Sequence, residues 1–116
     1  MNIEEEIMKE FELTKTGNLD YLDNTGCSFD SIEEYILGEV LGFCGCGDPV
    51  IIAIQVILPF LKKIEKTEFG NYEDYEYMFL CYFANDKGIL EHGTTARCSW
   101  LTKKGKLILE YLLSLN

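Results

Sequence analysis

Thirteen consecutive residues in the middle of the chain, PVIIAIQVILPFL at 49–61, carry no charge. A bilayer span needs about 20 apolar residues, so this run belongs in a core and the rest of the chain must cover it. Asp48 is a good N-cap, and Pro49 suits the first helical position, where a missing N–H is harmless. The many β-branched residues would also suit a buried strand. The cap and the length of the segment favour a helix, which continues as the amphipathic FLKKIEK. Pro59 is expected to kink or interrupt it.

A chain of 116 residues, 47% of them hydrophobic, fits one domain with its own core. Ile3, Ile7 and Phe11 recur at helical spacing in IEEEIMKEFE, with Met8 widening the stripe and glutamates placed to suit the helix dipole. Residues 16–30 read as a loop, rich in Gly17, Asn18, Asn24 and Gly26, with a short extended piece around Leu19–Leu22. A second helix is expected from Ser31, with Asp30 as cap and Glu33 completing a capping-box-like pattern. Its apolar residues are Ile32, Tyr35, Ile36, Val40 and Phe43, and Gly42 is placed to end it. GFCGCGDP, at 42–49, then reads as a connector, with Gly45 and Gly47 supplying permissive dihedrals.

Further along, Tyr72, Tyr75, Phe79, Tyr82 and Phe83 form an aromatic stripe on a helix over 72–87, which reads as core. Gly88 ends it. GILEHG and RCSWLT follow as two short strands around a TTA turn. Alternation would place Ile89 and Glu91 on one face and Leu90 and His92 on the other. Thr102 caps a last helix whose face is Leu107, Ile108, Tyr111, Leu112 and Leu115, with Gly105 costing helix propensity.

The phrases Lys87-Gly88-Ile89-Leu90 and Leu101-Thr102-Lys103-Lys104-Gly105 give the second half a family resemblance. Roughly residues 50–116 resemble the winged-helix fold, especially the wing of MarR- and PadR-like regulators. There a "KGLI" phrase leads into a two-stranded wing and an "LTxKG" phrase opens the closing helix. The fold expected is mainly α with a small β-hairpin: a single domain, with acidic N-terminal helices over 1–48 and a winged-helix-like part over 49–116.

The resemblance puts helix 72–87 in the place of a DNA-recognition helix. Such a helix presents Arg, Lys, Asn or Gln to base edges. This one carries Glu73, Asp74 and Glu76, with Glu68 just ahead. Arg97 is the one cation of the wing, and Lys103, Lys104 and Lys106 open the last helix. Residues 1–48 hold 12 Asp/Glu against 2 Lys/Arg, which accounts for the whole net charge of −10. A phosphate backbone is repelled by that balance. Glu68, Glu73, Asp74 and Glu76 are instead candidate partner-binding residues, together with the acidic surface of the first 48 residues.

Five thiol and imidazole groups are candidate zinc ligands: Cys44, Cys46, Cys81, His92 and Cys98. Against zinc, Cys44-Gly45-Cys46 is tighter than the usual C-x2–4-C spacing; against redox chemistry, it is not the C-x-x-C of thioredoxins. Cys81 and Cys98 otherwise read as small buried hydrophobes. Cys46, just ahead of a helix start, is where a thiolate is favoured. His92 is the single histidine, and alternation turns Glu91 away from it, so no nucleophilic constellation forms. GFCGCG is no phosphate-binding loop. An enzyme is not expected, nor a cofactor, zinc aside.

The acidic N-terminus lacks the basic and apolar pattern of a signal peptide, and the odd cysteine count lacks a compact disulfide framework. A cytoplasmic protein with reduced thiols is expected, without membrane association. It is similar in style to small accessory proteins of bacteria and their phages. The expected function is non-catalytic: modulation or inhibition of a partner protein with a basic surface, with a homodimer through the terminal helices as a further expectation. A winged-helix DNA-binding regulator and a zinc-binding structural module stand as alternatives.

Overall fold

The first helix, α1 (Ile3–Glu10), starts at Asn2, whose extended backbone lets its Oδ1 accept the Glu5 N–H at 2.8 Å. The computed structural model describes residues 2–16, 20–42, 47–66, 88–92 and 99–115, in two compact units, Met1–Ile52 and Ala53–Asn116. Glu4, Glu5 and Glu6 lie in the first turn of α1 and Lys9 in the last, both favourable to its dipole. The helix closes two residues earlier than its apolar spacing implies. Leu13 N–H reaches Met8 O at 2.7 Å and Glu12 N–H reaches Lys9 O at 3.4 Å. This is a Schellman ending, with Glu12 at φ 56° in the position usually held by glycine.

The stretch expected to be a loop, with the two residues ahead of it, forms a small antiparallel meander: β1 (Thr14–Lys15), β2 (Tyr21–Leu22), which falls on the extended piece expected around Leu19–Leu22, and β3 (Ser28–Phe29). Thr14 pairs with Leu22, and Tyr21 pairs with both Lys15 and Phe29. Turn chemistry sets this register. Asp23 and Cys27 are joined by an N–H···O bond of 3.0 Å, Gly26 N–H returns to Asp23 O at 3.2 Å, and Gly26 takes φ 91°. The N-terminal part is therefore not only helical, as expected, but carries a sheet of its own.

The second helix begins as α2 (Ile32–Glu34) and continues as a π-helix over Tyr35–Val40. Its cap is Ser31, one residue later than expected, with Ser31 Oγ accepting the Glu34 N–H at 3.0 Å. Glu34 reaches back, and its Oε2 accepts the Asp30 N–H at 2.6 Å. The box is thus Ser31 to Glu34; Asp30 contributes its N–H and not its carboxylate. Gly42 sits just past the end at φ 73°, as its position in the sequence predicts. Ile7, Phe11, Leu13, Ile32, Tyr35, Ile36, Leu37, Val40 and Leu41 form the buried core of this unit. The Tyr35 ring lies edge-on to Phe29 at 5.0 Å and to Phe11 at 6.0 Å.

The central apolar run is helical, as its cap implies. Asp48 Oδ1 accepts the Val50 N–H at 3.0 Å, and Asp48 O accepts Ile52 N–H at 3.2 Å, opening α3 (Pro49–Ile52). In the second unit, Ala53–Ile57 are π-helical and α4 (Leu58–Glu65) follows. Pro59 therefore does not break the helix. It has no N–H to give the preceding turn, and the ladder changes register from π to α just ahead of it.

β4 (Leu90–His92) and β5 (Ser99–Leu101) pair antiparallel, with Leu90 opposite Leu101, Glu91 opposite Trp100 and His92 opposite Ser99. Leu90 and Leu101 are buried; Glu91 and Trp100 are exposed. Ile89 is buried too, against the expected alternation, because it precedes the paired residues in the bend at Gly88, where φ is 68°. One residue, Thr102, separates β5 from α5 (Lys103–Leu115). α4 packs on both α5 and β5. Leu61, Ile64, Ile89, Leu90, Ile108 and Leu112 are all but sealed from solvent. The helix expected over 72–87, with its aromatic stripe, lies outside the described residues, as do the TTA turn and Arg97. The architecture described is mainly helical with two small antiparallel sheets.

Candidate functional site

Carboxylates dominate the surface of the first unit. All twelve Asp and Glu of residues 1–48 are described, and none is buried. The Asp23 carboxyl is held below the usual carboxylate range, first by the Thr25 hydroxyl at 2.7 Å and then by the N–H groups of Cys27 and Thr25, both at 2.9 Å. That oxygen organises the β2–β3 turn. Burial pushes the Tyr35 hydroxyl up to about 12, and the Asp23 and Glu39 charges add to the shift. Asn24 Nδ2 donates to Glu12 Oε2 at 3.0 Å, tying the same turn to the end of α1.

A groove of about 280 Å³ opens in this unit between the start of the second helix and the first turn of α3. Leu37, Pro49 and Val50 give it aliphatic walls, Gly38 leaves a gap, and Glu33 and Glu34 stand exposed at its rim. No lysine or arginine lines it. The sequence reading missed the groove. Leu37 falls between the residues of the helical stripe, and Gly38 reads only as a weak helix former. Both become wall and gap once the π-register turns that segment.

The other sequence candidates divide simply. Cys44, Cys46, Cys81 and Cys98, and the acidic set Glu68, Glu73, Asp74 and Glu76, lie outside the described residues. His92 is the last residue of β4, across from Ser99. Cys27 is an exposed free thiol at the end of the Asp23 turn. Among the described residues, no group of three or more His, Cys, Asp or Glu is placed to hold a metal ion, and no helix is long and apolar enough to cross a membrane.

In the second unit, Thr102 joins hairpin to helix. Its N–H donates to Ile89 O at 3.1 Å. Its hydroxyl lies against the carbonyls of Gly88 and Ile89, donating its one proton to one of them, and accepts the Gly105 N–H at 3.1 Å. The outer face of the hairpin shows Trp100, 46% exposed, opposite Glu91. No family model, curated protein or solved structure matches this chain.

Proposed function

We propose that the chain is a non-catalytic protein that binds and modulates another protein, through the acidic surface of its first unit and a basic surface on the partner. One observation carries the reading. The whole net charge of −10 falls on residues 1–48, and every carboxylate there reaches solvent. Such a field raises the encounter rate with a cationic surface and repels phosphate backbones. In the second unit, the strand pair joined through one residue to a helix supports a winged-helix-like arrangement working as scaffold.

Pull-downs at low and at raised salt test this, with the wild-type chain and a Glu4→Lys/Asp20→Lys variant as baits. Salt-sensitive retention of a partner, lost in the variant, is expected. Retention indifferent to both salt and charge reversal would sink the reading. So would tight binding of random duplex DNA in a low-salt fluorescence-polarisation titration.

A further inference from the structure

We infer that the groove beside Glu33 and Glu34 seats a basic segment of the partner protein, with one aliphatic side chain anchored in the groove and a flanking Lys or Arg at the rim. This rests on the protein-contact reading above and gives that contact a location and a chemistry. The size of the groove suits a side-chain anchor: about 280 Å³ is at the small end of the roughly 300–1,000 Å³ of sites that enclose a whole small molecule. The walls define the anchor's character. Leu37, Pro49 and Val50 offer only carbon, and Ser31, which also lines the groove, already has its Oγ on the Glu34 N–H, so an aliphatic group loses water there at little cost in hydrogen bonds. Gly38 supplies the room, since a Cβ at that position would meet nothing within 4 Å.

Charge complementarity sets the flanking residues. Glu33 and Glu34 bring two full negative charges to the rim. The positive end of the helix they open offsets only about half a charge. One oxygen of Glu34 holds the Asp30 N–H, and an ionised carboxylate keeps further lone pairs for a second donor. Asp48, next to Pro49 in the chain, is exposed as well. An acidic or neutral segment would meet repulsion or unpaired charge here; a basic one meets neither.

Amide chemical-shift mapping on the full-length, isotope-labelled chain tests the inference. The probe is a five-residue peptide with one leucine between two pairs of lysines. Two controls carry glycine for the leucine, or glutamate for the lysines. Saturable shifts are expected at Glu33, Glu34, Leu37, Gly38 and Val50. The glycine peptide should bind about tenfold more weakly, and the glutamate peptide should leave the spectrum unchanged. Gly38→Leu, which fills the gap, should weaken binding by about tenfold or more with the rest of the spectrum preserved. Glu33→Gln should weaken it by a few-fold. Shifts spread evenly over Glu4, Glu5 and Asp20, indifference to the leucine, wild-type binding by folded Gly38→Leu, or no saturable binding would each overturn the groove assignment. If the Glu4→Lys/Asp20→Lys variant loses the partner while Gly38→Leu retains it, the protein-contact reading survives and the groove assignment alone falls.

Discussion

A Cβ on Gly105 would lie 2.2 Å from the carbonyl oxygen of Ile89 and 3.2 Å from Leu101 Cδ2. The first turn of α5 therefore touches the backbone leading into the hairpin with only a hydrogen between them. A glycine inside a helix costs about 1 kcal/mol against alanine, and this contact is why the helix carries one here. Gly105→Ala should consequently destabilise the chain by roughly 1–3 kcal/mol, as overpacking does, where an open helical site would gain. Urea unfolding measures the difference; a raised midpoint would show that the contact yields freely.

Thr102 holds the same junction with a side chain. Its hydroxyl meets the carbonyls of Gly88 and Ile89 and the N–H of Gly105. Thr102→Val keeps the shape and removes the hydroxyl, and should cost about 1–2 kcal/mol. Thr102→Ser should recover most of that in the same unfolding assay. A loss for Ser with none for Val would mean that shape, not the cap, matters.

Glu12 tests backbone strain at the end of α1. Its φ of 56° is costly for any residue with a Cβ. Glu12→Gly and Glu12→Ala both lose the contact with Asn24, so their difference isolates the backbone. The glycine variant should be the more stable of the two by about 1–2 kcal/mol in paired thermal or urea melts.

Tyr35 gives the first unit an alkaline limit. Its hydroxyl, ordinarily near 10, is raised to about 12 in the folded chain. A raised value means that the stability it contributes is complete below pH 10 and is lost as pH climbs from 10 through 12. The urea midpoint of wild type should thus fall as pH climbs through that window, and fall less for Tyr35→Phe. Equal slopes would remove Tyr35 as the cause.

The hairpin and its helix were legible because their signals are local. Thr102 is a cap by chemistry, Gly88 turns the chain at positive φ, and the leucines of α5 repeat at one period. Asp48-Pro49 likewise decided the central run in favour of helix. Of the β1–β2–β3 meander only β2 was legible, as an extended piece around Leu19–Leu22, since two-residue strands leave no alternation to read. Its register comes from the three donors gathered on Asp23 and from Gly26, which look in the sequence like any loop. The cap of the second helix was misplaced by one residue because Asp30 and Ser31 are equally good caps on paper; only Glu34 reaching back to Asp30 separates them. The groove was hidden for a different reason. A pattern search at 3.6 residues per turn assigns Leu37 and Gly38 to positions that a π-register does not give them.

The π stretches at Tyr35–Val40 and Ala53–Ile57 also bear on how this chain tolerates changes in length. A ring closed from residue i to i+5 holds one residue more than an α-helical ring. Such a turn can surrender a residue and relax to α, leaving a helix in place of a break. In α5, which is α-helical throughout, a deletion swings every later side chain by about 100°, taking Ile108 and Leu112 off the buried face. Shortened relatives of this chain should therefore have lost residues from the π turns and kept α5 whole.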